Sequence, residues 1–136
     1  MTPFGILAAL AGLSHGEAAL VCGVRIDTAK SWASGRRTAP PGAINELRAL
    51  ISRQAKAANE AIAQIARLAK SHGAPDEIEI GYPADDHEAQ SLGWPCVGAW
   101  AAMAARVVSQ ASVPPIILVP RGSTPTTAAA ADMHGR

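Results

Sequence analysis

Apolar residues in the first forty positions recur at intervals of three and four, the spacing of one face of an α-helix. Three short helices are predicted over residues 3–13, 14–23 and 26–34. Ser14 and Glu17 form the Ser-x-x-Glu pattern of a capping box, which starts the second helix. Gly23 ends that helix, and a positive φ is expected there because a side chain would clash. Gly35 closes the third helix.

A fourth and much longer helix is predicted after the Pro40-Pro41 break, over about residues 42–71. One apolar seam repeats every seven residues, at Ile44, Ile51, Ala58 and Ile65. A second seam is interrupted at Gln54, and a kink over 52–54 is an open alternative. The seams serve either dimerisation or packing within the chain, and packing within the chain is the favoured interpretation.

The second half of the chain predicts a small α/β unit. Charged and apolar residues alternate over 77–82, which indicates a half-exposed strand, and a helical turn is expected over 85–91. A helix is expected to begin at Pro95, because proline favours the first helical position, and to end near Gln110. Residues 113–120 are continuously apolar and predict a second strand. Two strands form a poor sheet alone, so we expect them to pair across a dimer or against the long helix.

The second and third helices fit the spacing of a helix-turn-helix unit, whose second helix enters the major groove of DNA. With Gly23 in the turn, Ala19 lies where the two helices cross and only a small side chain fits. Val24 and Ala29 fall at inward positions, and Trp32 falls where it packs into a three-helix core. These agreements favour a DNA-binding unit over a generic helical hairpin.

The predicted fold class is therefore mainly α, with an N-terminal helix-turn-helix bundle, a long connecting helix and a small C-terminal α/β dimerisation unit. The expected division is a DNA-binding domain over 1–53, a connecting helix over 54–75, a dimerisation domain over 76–122 and a tail over 123–136. That tail is rich in Ser, Thr, Pro and Ala, so we expect disorder in solution that a partner could order.

The outward face of the third helix is the predicted DNA-reading surface. Arg25 and Lys30 can donate to O6 and N7 of guanine, and Ile26 can pack on a thymine methyl group. Asp27 either accepts a hydrogen bond from cytosine N4 or only stabilises the helix dipole. The expected DNA-binding residues are Arg25, Ile26, Asp27, Thr28, Lys30, Ser31, Ser34, Arg36, Arg37, Thr38 and His15.

Residues beside this helix are expected to hold the DNA backbone. Arg36, Arg37 and Thr38 follow the helix and are assigned to phosphates, which position a protein without reading sequence. His15, at the start of the second helix, either presents its main-chain N–H to a phosphate or is simply solvated. Arg25 stands where serine or threonine often caps such a helix, so the start of this one is expected to be less stable by ~1 kcal/mol.

Charge is distributed unevenly although the net charge is only +1. Residues 1–71 contain nine basic and four acidic side chains, whereas residues 72–136 contain three basic and seven acidic ones. A basic front and an acidic rear are typical of a DNA-facing module joined to a part that stays off DNA.

Composition indicates a thin core and a soluble location. The chain is 49% apolar, but much of this is alanine and only five residues are aromatic. Burial of additional surface in a dimer would therefore help to stabilise the fold. No apolar run approaches the ~20 residues that span a bilayer. No basic region precedes the apolar N-terminus, so a cytoplasmic protein without a membrane partner is predicted. Cys22 and Cys96 are too few for a disulfide framework, and Cys22 is expected to act as a small hydrophobe.

Enzymatic and metal chemistry have little support in the sequence. The four histidines are scattered and neither cysteine stands at ligand spacing from them, so no cofactor or metal is expected. The polar cluster at 85–88 is interpreted as a solvated loop and helix cap rather than an acid–base pair. Trp94 and Trp100 are interpreted as core or interface anchors rather than a base-stacking platform. A non-enzyme is predicted.

The segment Gly-Val-Arg-Ile-Asp-Thr-Ala-Lys-Ser-Trp-Ala-Ser-Gly-Arg-Arg resembles the Xre/Cro-type helix-turn-helix family. Thr28, Trp32 and Gly35 match the pattern of that family, while Ala33 and Arg25 replace its usual glutamate and serine. The resemblance covers residues 1–50 and implies a DNA-binding regulator whose base preference those two replacements could alter.

The second half, over 76–122, is similar to the dimerisation part of the anti-CRISPR-associated (Aca) repressors, in a Gly-Trp pair before a helix and two strands. This resemblance implies a small phage or mobile-element protein that represses its own operon, with an anti-CRISPR operon as one candidate. It further implies binding of double-stranded DNA at an inverted repeat as a homodimer. Some relatives bind RNA hairpins as well, so RNA stays open as a partner.

A second hypothesis comes from another functional class. An antitoxin or adaptor would neutralise a protein partner through the acidic half, over 76–122, and would use DNA binding only for feedback. Co-purification with a neighbouring gene product would favour this alternative.

Overall fold

Three short helices at the N-terminus lead into one long helix, which is followed by a small region with two strands. The computed structural model describes residues 1–73, 77–111 and 115–122. Its elements are α1 (Pro3–Leu10), α2 (His15–Cys22), α3 (Ile26–Ser34), α4 (Pro41–His72), β1 (Ile78–Tyr82), α5 (Asp86–Ser91), α6 (Val97–Gln110) and β2 (Ile116–Pro120). The structure is therefore mainly helical with one small sheet. The predicted tail over 123–136 lies outside the described residues.

Two predicted helix boundaries are wrong. Helix α1 ends at Leu10 rather than near residue 13, because Gly12 adopts φ 78° and the N–H of Leu13 turns back to the Ala8 carbonyl at 2.9 Å. Helix α6 begins at Val97 rather than at Pro95.

The later start of α6 has a local cause. Cys96 is the N-cap residue, with extended backbone angles, so Pro95 lies before the helix. The Asp86 carboxylate accepts the N–H of Val97 at 2.9 Å and thereby satisfies a main-chain donor in the first turn.

Helix α4 is the central element and packs against α1, α2 and α6, so the prediction that it packs within the chain is confirmed. Its Gln54 side chain is fully buried, at 0% exposure. The amide nitrogen of Gln54 donates to the carbonyl of Ala11 at 2.9 Å and to the carbonyl of Ala99 at 3.0 Å. One side chain thus ties the end of α1 and the middle of α6 to the long helix, which is continuous through 52–54.

The loop after α1 touches the start of α6 at two glycines. A Cβ added to Gly98 would lie 2.1 Å from the carbonyl oxygen of Gly12, so only glycine allows this approach. One hydrophobic core consequently runs from Phe4 to Ala104, across the boundary expected at residue 53. The division into domains there stays a prediction.

The two strands pair with each other. They are parallel, with Ile78 opposite Ile116 and Tyr82 opposite Pro120. The expectation that the strands lie against the long helix is confirmed at Ala58 and Ile65, whereas pairing across a dimer stays a prediction. One face of this small sheet packs on α4 and α6, where Ala58, Ile65 and Val107 form a second buried cluster with Ile78, Ile80 and Ile116. That support explains why two strands persist within one chain.

A helix that crosses a bilayer needs a long and continuously apolar stretch. Across the described ranges, no single helix is both long and apolar enough to cross a bilayer.

Candidate nucleic-acid interface

The start of α2 is fixed by its own side chains, as the sequence predicts. The N–H of Glu17 donates to the Ser14 hydroxyl at 3.1 Å, and the N–H of Ser14 donates to the Glu17 carboxylate at 2.9 Å. This reciprocal pair is a capping box, which satisfies two main-chain donors that the helix leaves unpaired. The capping box therefore fixes the residue at which α2 begins.

The turn between α2 and α3 has the expected left-handed glycine. Gly23 has φ 68°, and the N–H of Val24 donates to the Ala19 carbonyl at 2.9 Å. A Cβ at Gly23 would meet no atom within 4 Å, so the backbone angle, rather than crowding, is what requires glycine. Ala19 and Ala29 are almost fully buried where the two helices pack. The positive φ of Gly23 and the burial of Ala19 and Ala29 are confirmed, and the assignment of the pair as a DNA-binding helix-turn-helix stays a prediction.

Helix α3 has one buried and one exposed face. Trp32 is only 8% exposed and stacks edge-on against Phe4, with ring centroids 5.3 Å apart. On the other side Arg25 and Lys30 are exposed, and Ile26 keeps 46% of its surface accessible. The two cations therefore lie open while the indole is turned into the core beneath them.

One residue assigned to the outer face is placed wrongly by the sequence prediction. Ser31 is only 1% exposed, and its hydroxyl donates to the Thr28 carbonyl at 2.9 Å. At 100° per residue Ser31 lies about 60° from Thr28 and about 100° from Trp32 on the helix circumference, so it stands at the margin of the buried sector. Ser31 cannot reach a base in this arrangement, and Thr28 is half-buried beside it.

The other predicted contacts stay accessible. Asp27, Ser34, Arg36, Arg37, Thr38 and His15 are all exposed. Arg25 is the N-cap of α3 and makes no side-chain capping bond, so its guanidinium is not used to close the helix. Within the described part of the chain, none of the four cations Arg25, Lys30, Arg36 and Arg37 forms a salt bridge.

The segment after α3 is held by the helix itself. Gly35 takes φ 86°, and the N–H of Arg37 donates to the Ser31 carbonyl at 3.1 Å. The Ser34 hydroxyl donates to the same carbonyl at 3.2 Å and accepts the N–H of Arg36 at 3.4 Å. Ser34 thus holds the main chain of Arg36 directly and shares the Ser31 carbonyl with the N–H of Arg37. It remains exposed, and its contact with DNA stays a prediction.

Thr2 is a positioning residue that sequence reasoning missed. Its hydroxyl accepts the N–H of Gly5 at 3.1 Å and caps α1. The carbonyl oxygens of Trp32 and Ala33 lie 2.9 and 3.0 Å from the same oxygen, so the hydroxyl also anchors the end of α3. A threonine before Pro3 is a recognisable capping signal, but its contact thirty residues away has no local sequence signal.

The start of α2 lies beside the start of α3. The Cδ1 of Ile26 is 3.5 Å from the position that a Cβ on Gly16 would occupy. His15, which precedes Gly16, is exposed at the same end of α2. The main-chain N–H groups at this helix end therefore border the exposed face of α3, as a phosphate contact there would require.

The two thiols are unsuited to chemistry. Burial raises the pKa of Cys22, and the carboxylate of Glu46 raises it further. Burial also raises the pKa of Cys96. A hydrogen bond from the Ala99 N–H lowers this pKa by a smaller amount, and the nearby Glu17 carboxylate raises it. Both groups stay protonated at neutral pH, and a thiol rather than a thiolate is a weak nucleophile.

The acidic cluster at 85–88 is built into the local structure. Asp85 caps α5 by accepting the N–H of Glu88 at 2.8 Å, and Glu88 lies 3.4 Å from Arg121. Trp94 and Trp100 are 8% and 7% exposed, so they are core residues rather than a surface for stacked bases. Across the described ranges, no three His, Cys, Asp or Glu side chains are grouped so that they could hold a metal ion.

The chemistry that this surface offers is recognition. It combines exposed guanidinium and ammonium donors, one exposed apolar side chain and main-chain donors at a helix start, on elements fixed by buried contacts. Comparison with known proteins adds no assignment: no protein-family model matches the chain, and a search of curated proteins finds no match.

Proposed function

We propose that this protein is a sequence-specific repressor that binds double-stranded DNA as a homodimer on an inverted repeat and represses its own operon. The observation that carries the proposal is the exposure of Arg25 and Lys30 on the helix whose Trp32 is buried beneath them. A helix presented in this way can enter the major groove, where guanine edges accept hydrogen bonds from both cations.

The electrostatics of the surface support the same proposal. Arg36 and Arg37 follow α3 and, among the described residues, have no carboxylate within salt-bridge distance. Such cations keep their full attraction for phosphates, which supply most of the affinity of non-specific DNA binding. In this proposal Arg25 and Lys30 read bases, whereas Arg36, Arg37 and the start of α2 hold the backbone.

The experiment is a gel-shift titration with DNA from the region upstream of the protein's own gene. Arg25→Ala and Lys30→Ala should each weaken specific binding by about 5- to 150-fold, the range for losing one good base contact. Arg67→Ala removes an exposed cation from α4, away from α3, and is the matched control with nearly unchanged affinity. Specific binding that survives both changes on α3 would refute the assignment.

A further inference from the structure

Strand β2 has one edge that no other strand covers in the residues that the structure describes. Its other edge pairs with β1. A parallel sheet of two strands is unusual, because parallel sheets normally contain more strands and are covered on both faces. The open edge of β2 is therefore the place where this sheet can grow.

The direction of the main-chain groups shows what the open edge offers. The N–H of Ile78 donates to the Pro115 carbonyl at 2.9 Å, so residue 115 faces β1. Main-chain groups alternate sides along a strand, so Ile116, Leu118 and Pro120 turn theirs outward. Pro120, which lacks an N–H, thus stands where its missing donor does not weaken the pairing with β1.

The side chains on this edge are apolar. Residues 116–120 read Ile-Ile-Leu-Val-Pro, and Ile117 and Leu118 are 38% and 45% exposed. Strands that remain at an edge are usually protected by charged side chains or bulges, which block pairing with another chain. Apart from its terminal proline, β2 carries no such protection, which is typical of an edge that is covered in an assembly.

Charge indicates which partner fits. Pairing β1 with its own copy would bring Glu77 and Glu79 next to the same residues of the second chain, and like charges opposite each other destabilise a sheet. Strand β2 carries no charge, so it can pair with its own copy without this cost. Joining the β1 edge to the β2 edge of another copy would instead give an open polymer rather than a closed dimer.

We propose that β2 pairs antiparallel with β2 of a second copy of this chain, about a two-fold axis at Leu118, to form a four-stranded sheet. The N–H and carbonyl of Leu118 bond to their symmetry copies, and the N–H of Ile116 bonds to the Pro120 carbonyl of the second copy. This inference deepens the proposed function and rests on it for its biological role, because an inverted repeat is read by two copies related by two-fold symmetry.

The experiment measures the mass of the full chain by size-exclusion chromatography with light scattering, without DNA. The wild type should elute at twice the 13.9 kDa of one chain. Leu118→Lys and Leu118→Pro should both halve the measured mass, the first by adding charge and the second by removing the outward N–H. Ile6→Lys, on α1 and at 51% exposure, is the matched control that stays dimeric.

A cross-linking measurement checks the register in the folded protein. Opposed residues of a hydrogen-bonded antiparallel pair have Cα atoms about 5.5 Å apart, within the range of a disulfide. Oxidised Leu118→Cys should therefore form a covalent dimer, whereas Leu20→Cys, at the 82% exposed position on α2, should not. Circular dichroism equal to that of the wild type shows that each variant is folded.

Several outcomes would overturn the inference. A monomeric wild type, or a dimer that keeps its mass in both Leu118 variants, would show that β2 is not the interface. If removal of 123–136 turned a monomer into a dimer, the tail would be the occupant of the edge instead. A wild type that forms the dimer but does not bind DNA would contradict only the proposed function. Failure of the β2 interface and failure of the proposed function are therefore distinguishable.

Discussion

The ring of Phe4 stands edge-on to the indole of Trp32, with centroids 5.3 Å apart and planes at 76°. This contact joins α1 to the buried face of α3. The Thr2 hydroxyl joins the same two helices at the end of α3. The DNA-reading surface proposed for α3 is therefore supported by α1 as well as by its partner α2. The position of α3 therefore depends on Phe4 and Thr2, which lie outside the proposed DNA-reading surface.

Removing the indole should destabilise the whole N-terminal unit. Trp32→Ala is expected to lower the free energy of unfolding by about 3–5 kcal/mol, because a large buried ring is replaced by a cavity. Trp32→Phe, which keeps an aromatic ring against Phe4, should cost less. Urea unfolding of the three proteins measures both values, and a loss below about 1 kcal/mol for Trp32→Ala would contradict the core position.

The contact between Gly12 and Gly98 predicts opposite effects for two similar changes. Gly98→Ala should destabilise by about 1–3 kcal/mol, because its Cβ would meet the Gly12 carbonyl. Gly42→Ala, in α4 with open space around it, should instead stabilise by roughly 0.5–1 kcal/mol through helix propensity. Thermal unfolding of both variants gives the comparison, and equal effects would exclude the close approach.

The buried amide of Gln54 should contribute more to the free energy of unfolding than a half-buried glutamine of the same helix does. Gln54→Leu leaves the carbonyls of Ala11 and Ala99 without this donor and should cost about 1–3 kcal/mol. Gln64→Leu makes the same change at a half-buried position of α4 and should stay within about 0.5 kcal/mol of the wild type. Denaturant titration measures both, and a Gln54→Leu variant as stable as the wild type would contradict a stabilising role for the two hydrogen bonds of Gln54.

Burial of Cys96 predicts a loss of stability at alkaline pH. Its pKa is raised in the folded protein, so the folded state holds the thiol proton more tightly than the unfolded chain does. The resulting stabilisation is full below the unfolded pKa of about 8.5 and is lost as pH rises through the folded pKa. The stability difference between the wild type and Cys96→Ala should therefore shrink from pH 8 upward, and a difference that grew would have the wrong sign.

Local signals in the sequence predicted much of the helix pair. The capping box at Ser14, the left-handed Gly23 and the inward Trp32 depend on residues within one turn or one helix face. The contacts of Gln54 and Thr2 join segments more than thirty residues apart, and a side chain's type does not disclose such a partner.

One residue placement predicted from the sequence is wrong. Ser31 was placed outward from helical spacing alone, but at the margin of a buried sector a small side chain is covered by its neighbours. The pairing of the two strands with each other could not be read from the sequence, because two strands rarely form a sheet alone and the support comes from α4 and α6, which cover one face.

The central claim is that Arg25 and Lys30 read bases while Arg36 and Arg37 hold phosphates, and fluorescence anisotropy with specific and unrelated duplexes at several salt concentrations tests it most directly. Arg36→Ala should weaken binding to both duplexes alike and reduce the log–log salt slope by about 0.9. The Arg25→Ala, Lys30→Ala double variant should lose its preference for the specific duplex while keeping weak binding to the other. A double variant that retains the full preference of the wild type would contradict the account.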